Sequence, residues 1–165
     1  MSLLDKQIEA IKQIYTHIKN KELKAEPIII GKFALTVYTQ GMYPSSVITF
    51  LYPDMNTLAK ILTELGYNQI GDSFKKDDIT IQITNNPHLN TGKFNKIEVD
   101  GTTINVLSLE DLLIDMMKEC VQGDQVVCDL IKMLINSYRQ SIDFHHIFMN
   151  TKDKRAIIKF KEFRR

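Results

Sequence analysis

The stretch PIIIGKFALTVYTQGMYPSSVITFLYP, residues 27–53, decides the fold prediction. Its apolar run at 28–30 ends in glycine, a pattern typical of a short strand that is buried on both faces. KFALTVYTQG predicts a short helix that Gly41 ends. SSVITFLYP then supplies β-branched and aromatic residues, which predict a second buried strand at about 47–52. The stretch therefore predicts a strand–helix–strand unit.

The segments on either side of this unit predict helices. Apolar residues recur every three or four positions between residues 3 and 20, which indicates an amphipathic helix. After the second strand, Asp54 is a suitable N-cap for a helix that continues to about Leu65, and Gly66 ends it.

The second half of the chain predicts strands first and helices afterwards. ITIQIT at 79–84 alternates like a strand, NNPHLNTG at 85–92 indicates a loop, and Asp100-Gly101 is a hairpin signal between two further strands. SLED at 108–111 resembles a capping box and begins two helices, which are followed by a helical C-terminal segment. The charged segment 72–78 is predicted to be a solvated turn. This order predicts an α+β (mixed α/β) fold, in which helices flank a mixed sheet.

Composition excludes several classes of protein. A chain of 165 residues with a net charge of +1 has no overall attraction for nucleic acid or membranes. No apolar run reaches the ~20 residues that a membrane-spanning helix needs.

Cys120 and Cys128 would lie about 12 Å apart on one helix, too far for a disulfide. We therefore expect two buried thiols in a cytoplasmic protein.

The order of elements resembles that of the nucleotidyltransferase superfamily, which has a polymerase-beta-like fold, and in particular its small bacterial and archaeal members. PIIIGKFAL looks like the strand that runs into a Gly-Gly or Gly-Ser turn and a helix. SSVITFLYP stands where the family has Thr-x-Asp-x-Asp, and residues 98–117 are similar to the segment before its closing helices. The resemblance implies a nucleotidyltransferase-like domain at 1–136, and a basic helical tail at 137–165 packed on the same domain.

The carboxylates that the resemblance implies are missing. Active members bind two divalent metals through two acids on the second strand and often a third on a later strand. If Ser46 aligns with the threonine, these two positions hold Ile48 and Phe50, and the later strand offers only Thr80 and Gln82. No Asp or Glu occurs from residue 32 to residue 53. We therefore expect a degenerate member without two-metal catalysis and without a cofactor.

Polar residues around the same strands still predict an anion site. A helix that begins after Gly31 offers free amides and the positive end of its dipole to a phosphate, and Lys32 adds a cation. The candidate cleft that binds a nucleotide or another anion consists of six residues: Gly31, Lys32, Ser45, Ser46, Thr49 and Gln82.

Three other functions remain open at this level. A relocated Mg²⁺ site would need at least two of four carboxylates to converge: Asp77, Asp78, Glu98 and Asp100. The tail from residue 151 has seven basic and two acidic residues, so it could bind nucleic acid, as in a toxin–antitoxin pair. The domain could also bind an unidentified protein partner.

Overall fold

The computed structural model describes residues 1–85 and 93–165. The described chain forms two compact units, Met1–Leu107 and Ser108–Arg165. The predicted loop at 85–92 lies outside the described residues except for Asn85. These units are defined by contacts within the chain and not by likeness to a family. The nucleotidyltransferase-like domain at 1–136 and the tail at 137–165 therefore stay predictions.

The predicted order of helices and strands is largely confirmed. The first unit contains α1 (Leu3–Asn20), β1 (Ile28–Ile30), α2 (Gly31–Tyr38), β2 (Val47–Leu51), α3 (Met55–Glu64), β3 (Asn68–Ile70), β4 (Ser73–Lys76), β5 (Ile79–Thr84), β6 (Phe94–Val99) and β7 (Thr102–Leu107). The second unit contains α4 (Leu109–Val121), α5 (Gln125–Tyr138), α6 (Phe144–Asn150) and α7 (Lys154–Arg164).

The strands of the first unit form one mixed sheet. Within the described residues it has seven strands in the order β3-β4-β5-β2-β1-β7-β6. β2 lies between β5, to which it is parallel, and β1, to which it is antiparallel. The strand SSVITFLYP is therefore central, and its apolar composition suits a strand with neighbours on both sides.

Glycines and caps set the ends of the helices around this sheet. Asp54 caps α3 by accepting a hydrogen bond from the Thr57 amide, as predicted. Gly41 follows α2 with φ +86°, and a Cβ at this position would lie 2.8 Å from a methyl group of Leu4. A side chain at residue 41 would therefore meet both backbone strain and a clash. α1 and α3 pack on each other and on β5, while α2 packs on β1 and β2.

The prediction of a solvated turn at 72–78 is wrong for most of its length. Residues 68–76 form the hairpin β3–β4, and only Asp77 and Asp78 make the turn into β5. Asn68, Gln69 and Ile70 are all exposed because β3 is an edge strand. A polar edge strand lacks the apolar alternation on which strand prediction depends.

The prediction of two free cysteines is also wrong. Cys120 and Cys128 form a disulfide whose Cα atoms lie 4.9 Å apart. The estimate of 12 Å assumed one helix, but α4 ends at Val121 and the chain turns at Gly123 before α5 begins. Disulfides are uncommon in reducing compartments. The expected cytoplasmic location depended partly on two free thiols, and the disulfide removes that support. The location stays a prediction.

The second unit packs the basic tail by its apolar side. Ala156 and Phe160 of α7 are buried, and Lys132 of α5 lies over the ring of Phe163. The predicted helical C-terminal segment is confirmed, and it consists of α6 and α7. Its binding of nucleic acid stays a prediction. No helix in the described residues is long and apolar enough to cross a membrane.

A charged cluster joins α1 to α3 and predicts a pH effect on stability. Glu64 accepts hydrogen bonds from Lys21 and His17, which lower the pKa of its carboxyl group to about 2. A carboxyl group with a lowered pKa stabilises the fold above its unfolded pKa of about 4.3, and this stabilisation is lost as the pH falls towards 2. Glu64→Gln should lower the melting temperature at pH 7 but not near pH 2, as thermal unfolding across this range would measure. An equal shift at both pH values would contradict this origin.

Candidate functional site

A cavity of about 390 Å³ lies beside the central strand β2. Five of the six predicted cleft residues border it: Lys32, Ser45, Ser46, Thr49 and Gln82. Thr49 and Gln82 are register partners on the parallel strands β2 and β5, and Lys32 comes from the first turn of α2. The fold therefore brings together residues that are up to 50 positions apart in the sequence. Whether they bind a ligand stays a prediction.

The two positions at which the resemblance places the family's carboxylates, Ile48 and Phe50, do not face this cavity. Ile48 and Phe50 are both fully buried, with 0% of their surface exposed, and face the core. Side chains alternate along a strand, so Val47 and Thr49 face the cavity. Phe50 consequently does not fill the cleft. The lack of carboxylates on β2 does not depend on which face of the strand is considered, because Val47 and Thr49 are not acids either.

The two serines play different parts in the cleft. Ser45 is buried, its hydroxyl donates to the Val47 carbonyl and accepts from the Val47 amide, and its own carbonyl accepts a hydrogen bond from Gln7. These bonds occupy Ser45 in shaping the turn before β2. Ser46 is exposed, and its hydroxyl has no hydrogen-bond partner among the described residues. Ser46 is therefore the serine that can reach a ligand.

Lys32 sets the electrostatic character of the cavity. Among the described residues of the lining it is the only charged one. It is exposed and belongs to a helix whose N-cap, Ile30, provides no side-chain cap. The amides of the first turn therefore receive no hydrogen-bond acceptor from the N-cap side chain, and the positive end of the helix dipole adds to the lysine charge. This end of the cavity suits an anion.

Gly31 acts through its backbone. It has φ +67°, a conformation that glycine adopts easily and that other residues adopt at a cost. A Cβ there would meet no atom of residues 1–85 or 93–165 within 4 Å, so among these residues the requirement for glycine comes from the turn and not from crowding. Gly31 directs the chain from β1 into α2 and so positions Lys32.

The donors of this lining do not fit the divalent metals of active nucleotidyltransferases. Mg²⁺ prefers carboxylate oxygens, whereas the cavity offers hydroxyl groups, the amide of Gln82 and the ammonium group of Lys32. In residues 1–85 and 93–165, no three His, Cys, Asp or Glu side chains come together as a metal site. The positive charge of Lys32 would itself repel a cation.

The four carboxylates of the alternative metal site do not converge either. Asp77 and Asp78 form the turn before β5, and Asp78 is paired with Lys6 at 2.8 Å. Glu98 lies on β6 at the far edge of the sheet. Three strands lie between β5 and β6, which corresponds to a separation of roughly 19 Å. None of the four carboxylates borders the cavity beside β2.

Sequence reasoning missed Val47 and Pro44, which also line the cavity. The strand is almost wholly apolar, so its pattern does not distinguish the two faces. The available signal was Thr49, the only polar residue within Val47–Leu51. A polar residue inside such a strand favours the more accessible face, and that face includes Val47.

Comparison with known proteins places the fold. No protein-family model matches the sequence, and neither does any curated protein. The crystal structure of ANT(2")-Ia in complex with adenylyl-2"-tobramycin is similar, with a TM-score of 0.64, 13% identity, and coverage of 95% of this chain and 99% of that one. The solution structure of the antibiotic-resistance factor ANT(2'')-Ia gives a TM-score of 0.61 at 12% identity, covering 96% and 94%. The chain therefore shares the fold of these structures, in agreement with the nucleotidyltransferase-like fold that the order of elements predicted.

Proposed function

We propose that this protein binds a nucleotide or another phosphate-bearing anion in the cavity beside β2, and that it does not catalyse metal-dependent nucleotidyl transfer. The observation that carries the proposal is the charge of the cavity lining. Its charged residue is the cation Lys32, where the chemistry of nucleotidyl transfer would require carboxylates. The similar fold of ANT(2")-Ia, whose structure contains an adenylyl-tobramycin, supports a nucleotide as the ligand.

The cavity offers a phosphate both charge and hydrogen-bond donors. Lys32 supplies an ammonium group, and Ser46 and Thr49 supply hydroxyl groups that are not engaged elsewhere in the described chain. Gln82 adds an amide, which contacts the Ser73 hydroxyl at 3.4 Å and can turn towards a ligand. A volume of about 390 Å³ lies within the range of small-molecule sites.

Substitution of Lys32 tests this binding. A charge-assisted hydrogen bond contributes about 1.5–3 kcal/mol, and exposure of the lysine reduces that value. Lys32→Ala should therefore weaken pyrophosphate and ATP binding roughly tenfold when titration calorimetry is performed in EDTA. Lys154→Ala, a lysine in the first turn of α7, is the matched control and should leave the affinity unchanged. Equal affinities of Lys32→Ala and the unaltered protein would contradict the proposal.

A further inference from the structure

A second cavity, of about 360 Å³, lies under the start of α3. Its apolar lining comes from Met55 and Ala59 of α3, Phe74 of β4 and Ile83 of β5. Phe74 is buried, while Ala59 and Ile83 are half-buried. The apolar part of the lining therefore lies between a helix and two strands.

The second cavity is distinct from the first. Phe74 pairs with Ile81, so Phe74, Ile81 and Ile83 point to one face of the sheet. Gln82 pairs with Ser73 and Thr49, and its side chain points to the other face. Gln82 borders both cavities, as expected for a residue in the strand that separates them.

The rim of the second cavity carries one carboxylate and two side-chain amides. Asp72 contributes an exposed carboxylate from the β3–β4 turn. The Gln69 amide nitrogen donates to the Gly71 carbonyl at 3.4 Å, which leaves the amide oxygen as an acceptor. Asn56 offers a further amide. No basic side chain belongs to the described lining, so this rim favours a ligand that donates hydrogen bonds and disfavours a phosphate.

A flat apolar body with an amino group fits these features. Thioethers and aromatic rings such as those of Met55 and Phe74 make favourable contacts with aromatic ligands, and a carboxylate such as that of Asp72 accepts hydrogen bonds from an amine. The volume accommodates a ligand of one or two rings. We propose that the second cavity binds a neutral aromatic amine of the size of an aminopurine, independently of the anion cavity beside β2.

Adenine and purine form a matched pair of probes, because purine lacks the exocyclic amine. Each is titrated into ¹⁵N-labelled full-length protein, and the amide shifts give the site and the affinity. A hydrogen bond to the Asp72 carboxylate should make adenine bind roughly fivefold more tightly than purine. The shifting amides should include those of Gln69, Asp72 and Phe74.

Four variants separate the proposal from its alternatives. Asp72→Ala should bring the adenine-to-purine ratio close to one, whereas Asp115→Ala, at a half-buried acid on α4, should leave it unchanged. Ala59→Phe should fill the floor and weaken both probes. Lys32→Ala should leave both affinities unchanged, so this test can fail without affecting the anion proposal. The proposal is overturned if adenine gives no saturable shifts, if the shifts lie only around Lys32 and Thr49, or if Asp72→Ala keeps the ratio.

Discussion

Ile48→Asp is expected to prevent stable folding, whereas Thr49→Asp is expected to leave the protein folded. Ile48 is fully buried, so the change removes a core side chain and places a carboxylate where no water reaches it. Loss of the apolar side chain costs about 2–3 kcal/mol, and the unpaired buried polar group adds a cost of similar size. The sum of about 5 kcal/mol approaches the whole stability of a small domain. Thr49 is half-buried and borders the cavity, so a carboxylate there keeps its hydration.

Urea denaturation followed by circular dichroism compares the two variants directly. Phe50→Asp should behave like Ile48→Asp, because Phe50 shares its face and is also fully buried. A folded Ile48→Asp together with an unfolded Thr49→Asp would reverse the assignment of the two faces of β2. Comparable losses of stability in Ile48→Asp and Thr49→Asp would contradict the accessibility of the cavity to water at residue 49.

Loss of the disulfide between Cys120 and Cys128 is expected to lower the free energy of unfolding of the second unit by about 2–3 kcal/mol. The bond closes a loop of eight residues, and it stabilises the fold mainly by restricting the unfolded chain. It joins the end of α4 to the start of α5 at two buried positions. Denaturation with and without a reductant measures the effect.

The variant that combines Cys120→Ala with Cys128→Ala serves as the control for the reductant. It should start from the lower stability and show no further loss when reductant is added. A thiol assay on the unfolded, non-reduced protein should detect no free thiols. Two free thiols in that assay would contradict the disulfide. The same free energy of unfolding of the unaltered protein with and without reductant would contradict it as well.

The sequence predicted a helix or a hairpin correctly where its local pattern is compatible with only one kind of structure. The amphipathic period of residues 3–20 and the Asp100-Gly101 turn correspond directly to α1 and the β6–β7 hairpin. The β3–β4 hairpin was missed because a polar edge strand is stabilised by pairing with its neighbour and not by burial of one face. The disulfide was missed because the distance between the cysteines depends on a helix break whose effect the sequence does not reveal.

Five of the six residues that the sequence grouped border the cavity, but the sequence did not reveal the geometry of that cavity. Lys32, Thr49 and Gln82 could be grouped because the resemblance supplied the neighbourhood of the strands. Which residues of β2 face the cavity depends on tertiary packing, since either face of an apolar strand can be buried. The role of Ser45 was likewise hidden, because its hydrogen bonds to Val47 and Gln7 exist only in the folded chain.

Pyrophosphate release from nucleoside triphosphates tests the central claim most directly. The purified protein is incubated with each of the four nucleotides and Mg²⁺ or Mn²⁺, with RNA, protein and small-molecule acceptors supplied in turn. Because the described residues place no carboxylate in the lining of the cavity beside β2, we expect release no faster than in buffer, even at nucleotide concentrations that saturate binding. Metal-dependent release that Lys32→Ala abolishes would contradict the claim and assign catalysis to this cavity.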